Sequence, residues 1–326
     1  MPTPAELHPV EPLLTNMSLA YMQELSAFLA GRIFPVVPVA TSSGTFATYP
    51  KGSFWRDEMR PRPLGGEAEI ADYTVGTDTY AVEEWAVKHR VDDRTRANAL
   101  NPFSPDDDAT FLLSQMAAIN AERRWATSFF GTGIWGTDLT GVAAAPAGGQ
   151  FLRWDVSTSD PAHEIRTQSN TMEAATGFGG NVLVVGADVW LSIQNNAQIK
   201  DIIKYTERGV IGEQLVASLM GLDDFIVARS VYNSAAEGAA DSIARLIGAK
   251  DALLIHRTPR PGLKVPTAGT TFAWQNLVPG ATNLLSAVIE RRRIDTHHSD
   301  EFEIRNAFGY KVVASDLGIF FSGAVS

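Results

Sequence analysis

The 326-residue sequence contains no cysteine, which removes a disulfide framework, a thiolate metal site and a cysteine nucleophile at a stroke. Histidine is scarce at six residues, and only His297 and His298 are adjacent. Neighbouring side chains on a strand point to opposite faces, so a polar turn suits that pair better than one shared metal. The apolar runs are a few residues long, far short of the ~20 needed to span a bilayer, so no membrane partner is expected. The paired carboxylates Glu83/Glu84 and Asp92/Asp93 are merely adjacent in sequence, and nothing sets them across a cleft for acid/base work. No GxxxxGK[ST], GxSxG, HExxH or calcium-loop pattern occurs, and no fixed-period repeat is visible.

Positive charge is also in deficit. Lys and Arg number 27 against 37 Asp and Glu, a formal net charge of -10, so a sequence-independent grip on nucleic acid would work against the overall field. The start of the chain, MPTPAELHPVEPLL, lacks the basic region of a secretory signal, and synthesis in the cytoplasm is expected.

What is present suits a folded protein. A hydrophobic content of 45% and a charged fraction of 20% are near the globular average, and the length allows one large domain or two to three smaller ones. In LLTNMSLAYMQELSAFL, Leu14, Met17, Tyr21, Leu25 and Phe28 recur at helical spacing. Pro35 and Pro38 then enforce an extended path through PVVPVATSSG. Residues 45–54 and 70–91 are rich in β-branched and aromatic residues and read as strands. Between them lies FWRDEMRPRPLGGEAE, broken by prolines and tipped by Gly65 and Gly66. The whole reads as a long hairpin. Arg56, Arg60 and Arg62 precede the glycines, whereas Glu67, Glu69 and Asp72 follow them. A two-stranded ribbon is marginal in water without a supporting surface.

NPFSPDDDATFLLSQMAAINAERRWATSFFGTG carries the clearest local signal. Ser104 is placed to cap a helix, Pro105 suits its first position, Asp107 completes a capping-box spacing, and three consecutive aspartates favour the positive end of the dipole. A helix over 105–129 is roughly 37 Å long. Leu112, Met116, Ile119, Phe129 and Phe130 are its expected buried side, and Gly131 its stop. Beyond a Gly/Ala-rich passage, 160–176 reads as helix and VLVV as a buried strand. A helix with Trp190, Leu191, Ile199, Ile202 and Ile203 follows, then helix–turn–strand in LVASLMGLDDFIVARSVYNS and a buried strand in IGAKDALLIHRT. Two long strands joined by a turn at 297–300 close the chain. Alternation of strands and helices over 170–260 indicates an α/β core inside an otherwise α+β chain. GTGIWG at 131–136 matches three spaced glycines, but it follows a helix and enters a loop, and GFGG at 177–180 precedes its strand; neither is placed to cradle phosphate.

The order of these parts, from the hairpin TYPKGSFWRDEMRPRPLGGEAEIADY through EEWAVKHRVDD, FFGTG and NVLVVGADVWLSIQNNAQIKDIIKY to GLDDFIVARSVYNSA, IGAKDALLIHRT and GYKVVASDLGIFFSGA, resembles the major capsid proteins of tailed bacteriophages, whose shell fold is the Hong Kong 97 type. The resemblance covers nearly the whole chain. It implies an α+β fold with an N-terminal arm at 1–44, an extended-loop hairpin at 45–90, and a peripheral domain at 91–167 with a spine helix at 105–129. An axial α/β domain at 168–287, peripheral return strands at 288–307 and an axial C-terminal strand at 308–326 complete it. It implies no cofactor and no catalysis, but a shell of hexamers and pentamers enclosing double-stranded DNA as non-specific cargo. The loop tip, with Arg56, Asp57, Glu58, Arg60, Arg62, Glu67 and Glu69, is expected to contact a neighbouring subunit. Separate scaffolding, portal and decoration proteins are the expected partners, the virion capsid the location and the host cytoplasm the place of assembly. Lys51 and Lys88 flank the hairpin, and surface lysine is their default reading. An encapsulin shell and, from another class, an α/β enzyme with a polar-lined pocket are the alternatives.

Overall fold

The computed structural model describes residues 23–62, 64–99, 104–204, 211–258, 260, 265–277 and 288–326. Leu14, Met17 and Tyr21 of the expected N-terminal stripe lie outside them. Where that stripe enters the described chain it yields a 3-10 turn at Leu25–Ala27 and then a one-turn helix, α1 (Ala30–Ile33), so the expected helix does not run through to residue 29. The restart has a visible cause: the backbone N–H groups of Leu29 and Ala30 both donate to one carboxylate oxygen of Glu122, at 2.7 and 2.8 Å. The proline-rich stretch that follows is extended, as expected, and forms β1 (Val36–Val39).

Two sheets organise the chain. In the first, β1 pairs parallel with β12 (Gly269–Trp274), and β12 pairs antiparallel with the end of β14 (Ser299–Val312). The earlier part of β14 is held between β13 (Val288–Ile294) and β4 (Glu83–Asp92). The long helix α4 (Pro105–Phe129) packs on β14 and β4. The second sheet is six-stranded in the order β6 (Gln150–Leu152), β5 (Thr137–Val142), β15 (Gly318–Ser322), β11 (Ala252–Ile255), β7 (Val182–Gly186), β8 (Asp224–Ala228). A short hairpin, β9 (Val231–Asn233) with β10 (Ile243–Arg245), follows β8.

These pairings partition the chain differently from the expected segments. Residues 137–152, expected with the long helix, join the six-stranded sheet because β5 pairs parallel with β15. Residues 308–312, expected with the other domain, stay in the first sheet because β12 takes their hydrogen bonds. Only 318–322 of the last segment crosses over.

Each face of β7 has its own core, which is why its sequence is a continuous apolar run. Val182 and Val184 pack into a cluster with Trp125, Phe129, Phe34, Phe272 and Phe308, on the side of the long helix. Leu183 and Val185 pack with Phe151, Trp154, Phe321 and the helices α5 (Pro161–Thr176), α6 (Ala187–Asn195), α7 (Ala197–Ile203) and α8 (Glu213–Met220). The α5 and α8 helices both end on a left-handed residue, Gly177 and Gly221, a backbone state that only glycine enters without strain. The run expected as one helix carrying Trp190 through Ile203 breaks at Asn196, whose side-chain oxygen accepts from the N–H of Gln198 and Ile199 and so starts α7 afresh. Leu191 and Ile202 of that run are exposed, while Trp190, Ile199 and Ile203 are buried.

The long helix keeps its expected ends but not its expected inner face. Ser104 caps it by accepting from Asp107 N–H, and its last residue is Phe129. The buried stripe, however, is Ala109, Leu113, Ala121, Glu122, Trp125 and Phe129; Leu112 and Met116 are exposed, and Ile119 and Phe130 are half-buried. Glu122 has no exposed surface, and beyond the two backbone donors it accepts from Ser230 Oγ at 3.1 Å. One carboxylate therefore ties the N-terminal segment, the long helix and the turn after β8 together.

Candidate assembly surface

Arg56 to Glu69 sit on a projection whose base is well anchored. β2 (Ser43–Thr48) pairs antiparallel with β3 (Gly76–Ala81), and their half-buried side chains alternate with exposed ones as a one-sided ribbon requires. Tyr80 stacks on Phe272 of β12 with ring centroids 4.7 Å apart, and Phe46 meets the same ring at 5.9 Å. Above the ribbon, the expected strands at 45–54 and 70–91 are cut short. Lys51–Phe54 is a helical turn, α2, and residues 70–75 carry no ladder; the cross-strand bonds give way to an aromatic cluster of Tyr49, Phe54 and Tyr73. Lys51 is more than a plain surface lysine: it pairs with Asp316, donates to Ala175 O at 3.4 Å and lies 5.9 Å from the Trp55 ring. Lys88 pairs with Glu301 at 3.3 Å.

From Trp55 to Val75 the described chain has neither helix nor strand. Gly65 turns it with a φ of 77°, and Arg62 Nε bonds Gly66 O across the bend at 2.5 Å. Arg56, Asp57, Arg60, Arg62, Glu67 and Glu69 are exposed and Glu58 is half-buried. None of the seven meets an opposite charge within ion-pair distance among the described residues. Asp57 instead accepts from Met59 N–H at 3.2 Å. The structure therefore gathers these residues on one excursion but supplies no counter-surface for them. The apolar residues of the excursion were not singled out in the sequence, and they are the more telling feature: Met59 and Ile70 are 89% exposed and Leu64 is fully so. Three such side chains on one loop leave an apolar surface that a subunit alone does not cover.

The far end of the first sheet is built from charge. Asp300, almost buried, receives Arg291, Arg96 at 2.9 Å and Arg293 at 3.5 Å, and the Arg291 hydrogen bond is the main reason its carboxyl lies below the usual range. Asp93, at the head of α3 (Asp93–Asn98), takes Arg293 at 2.6 Å, which lowers it as well, while Asp92 caps α3 by accepting from Arg94 N–H. The adjacent carboxylates at 92 and 93 thus serve a cap and an ion pair. Glu83 and Glu84 lie on β4, and Glu84 is 3.8 Å from Arg305. His297 and His298 are exposed in a 3-10 turn, with His298 in the left-handed region, so the turn begins two residues earlier than 297 and β14 starts at Ser299.

No family model matches the chain. It is 22% identical over 242 residues to the major capsid protein of Burkholderia phage BcepMu, covering 70% of this chain and 71% of that one. Among solved structures, a phage-related protein from Bordetella bronchiseptica RB50 superposes with a TM-score of 0.67 at 19% identity over 97% of both chains. The capsid of cyanophage P-SCSP1u gives 0.63 at 11% identity, covering 100% of this chain and 96% of that one. An encapsulin complex from Synechococcus elongatus PCC 7942 gives 0.56 at 10% identity, over 100% and 98%. The class is thereby defined: the chain has the Hong Kong 97-type capsid fold, shared by phage shells and an encapsulin. Within that class, the sequence relative at 22% identity is the major capsid protein of a phage. Among the described residues no helix is long and apolar enough to cross a membrane.

Proposed function

We propose that this chain is the major capsid protein of a tailed phage and that copies of it close into hexamers and pentamers, which tile an icosahedral head around double-stranded DNA. The observation that carries the reading is the projecting loop on a capsid fold: Met59, Leu64 and Ile70 are exposed, its charged side chains meet no opposite charge among the described residues, and an identical neighbour would supply both. Contacts of that kind are heterologous, so rotation closes them into rings. Obligate interfaces often bury 2,000 Å² or more, and at ~25 cal/mol per Å² of apolar area weak contacts to several neighbours sum to a stable wall even after the cost of association. The -10 charge keeps that wall from adhering to packaged DNA. Its role is structural and not catalytic. Scaffolding, portal and decoration proteins are proposed as separate partners, with assembly in the host cytoplasm and residence in the virion.

The fold likeness to an encapsulin favours one second reading, a protein compartment holding cargo protein. Electron microscopy of the expressed protein tests the shell, and nuclease-protected DNA in particles from infected cells tests the cargo. Shells with protected DNA are expected. A monodisperse species at the 35.2 kDa of one chain sinks both shell readings, and shells filled with protein instead of DNA favour the compartment.

A further inference from the structure

The projecting loop is rooted in one sheet and held by the other. Its ribbon belongs to the first: Tyr80 and Phe46 pack on Phe272, and Asp78 takes Lys311 of β14 at 3.0 Å. Beyond the ribbon the contacts change sides. Lys51, at the head of α2, pairs with Asp316 in the 3-10 turn Ser315–Leu317, by which the chain leaves β14 for β15 of the second sheet. Its Nζ also donates to the Ala175 carbonyl in the last turn of α5. Trp55 lies over Gly177, the left-handed residue that ends α5, and a Cβ on that glycine would stand 3.5 Å from the indole Cζ2. The two arms of the loop are tied at the same level: Ser53 Oγ and Thr74 Oγ1 are 3.3 Å apart, and the rings of Phe54 and Tyr73 are 5.7 Å apart. Both arms therefore move with α2, and whatever holds α2 aims the loop.

We infer that Lys51 and Trp55 form a latch within the chain, which clasps α2 to the end of α5 and to the 315–317 crossover and so sets the direction of the loop. Each contact is weak alone. Lys51 and Asp316 are both partly exposed, Trp55 keeps 54% of its surface open, and ion pairs and cation–π contacts at such sites compete with water. Several weak contacts in parallel make a reversible clasp with a closed and an open population. Because the ribbon is carried by the first sheet and the clasp by the second, a shift of one sheet against the other reaches the loop as a change of direction. The latch is a property of the single chain. Its consequence for assembly rests on the shell reading: a loop already aimed loses less freedom when it binds, which lowers the cost of association.

Limited proteolysis reads the latch. Arg60 and Arg62 are each followed by proline, which trypsin does not cut, so Arg56–Asp57 is the arginine bond of the loop open to it. That bond follows directly on α2 and Trp55, and cleavage requires the stretch to be extended, so its rate tracks the open population. In dilute, unassembled subunits, cleavage after Arg56, followed by mass spectrometry, is expected to rise about fivefold in Asp316→Asn and in Lys51→Met. Asp316→Glu, which keeps the charge, is expected to stay within about twofold of the wild type, and so is Asp78→Asn, which breaks the ion pair at the ribbon base instead. The inference is overturned if either Asp316→Asn or Lys51→Met leaves the rate unchanged, if Asp316→Glu is cut as fast as Asp316→Asn, or if Asp78→Asn raises the rate as much. Light scattering reads the consequence: the two latch-breaking variants are expected to form shells about tenfold more slowly. Faster cleavage with unchanged shell formation overturns the role of the latch in assembly. Wild-type protein that forms no shells overturns the shell reading, while the cleavage rates still decide the latch.

Discussion

Glu122 concentrates more of the stability of this subunit than any surface charge. Burial pushes its carboxyl up to about 7, against hydrogen bonds from Ala30, Leu29 and Ser230 that pull the other way. A carboxyl raised on folding favours the protonated native state. Its contribution is therefore fully present below about 4.5 and is lost as pH rises through about 7, a swing of the order of 3 kcal/mol. Urea denaturation at pH 5 and pH 8 is expected to show the subunit more stable at pH 5 in this respect, with Glu122→Gln flattening the difference. Asp93, Asp300 and Glu301 do not mask that slope, because their carboxyls are lowered by arginine and lysine partners and stay ionised throughout the window. Glu122→Ala, by contrast, leaves two buried N–H groups and a hydroxyl without an acceptor, and a loss of about 3–5 kcal/mol is expected at pH 5 in the same titration, shrinking toward pH 8 where the ionised wild-type carboxylate has given up its own contribution. Nothing in AERRW announces this residue. A glutamate beside two arginines on a helix reads as solvated, and only the return of Leu29, Ala30 and Ser230 from distant parts of the chain makes it a hub.

Helix ends were legible in the sequence and helix faces were not, and α4 explains the asymmetry. Its cap depends on Ser104 and Asp107, three residues apart, and such local chemistry is written in the order of the chain. Its inner face depends on what lies opposite. Both the Leu113–Trp125–Phe129 stripe and the Leu112–Met116 row are apolar at helical spacing, and the choice is made from other elements, by Val91, Phe302 and Ile304 around Leu113 and by Phe34, Phe272 and Phe308 around Trp125 and Phe129. The break between α6 and α7 was missed for a related reason: Asn196 is buried, and besides capping α7 its amide donates to Trp154 O and to Ser159 O and Oγ, contacts invisible in a one-dimensional pattern. The two asparagine- and serine-capped starts therefore differ in weight. Ser104→Ala is expected to cost about 1 kcal/mol, whereas Asn196→Ala, which also strands buried acceptors, is expected to cost about 2–4 kcal/mol. Thermal melts of the two variants in one buffer check the order, and equal shifts would show that the Asn196 amide contributes only as a cap.

At the scale of the whole molecule, the order of elements was readable because each sheet strand and helix carries its own period, while the division between sheets was not, since β5 and β15 are neighbours separated by more than half the length of the chain. The projecting loop was readable for the opposite reason, that its prolines, glycines and charges suit no interior. Its physical consequence is a separation of folding from assembly. The two main cores draw on residues outside 54–69, and the loop's large apolar side chains are exposed in the single chain. Deleting 54–69 is therefore expected to leave far-UV circular dichroism unchanged apart from the lost segment and to lower the melting temperature by only a few degrees, because little buried surface goes with it. Assembly is expected to stop, with sedimentation velocity showing subunits or small rings where the intact chain gives shells. If the deleted chain still forms shells in the same yield, the exposed methionine, leucine and isoleucine of the loop are an ordinary surface feature, and the force that closes the wall must come from the helix faces and sheet edges alone.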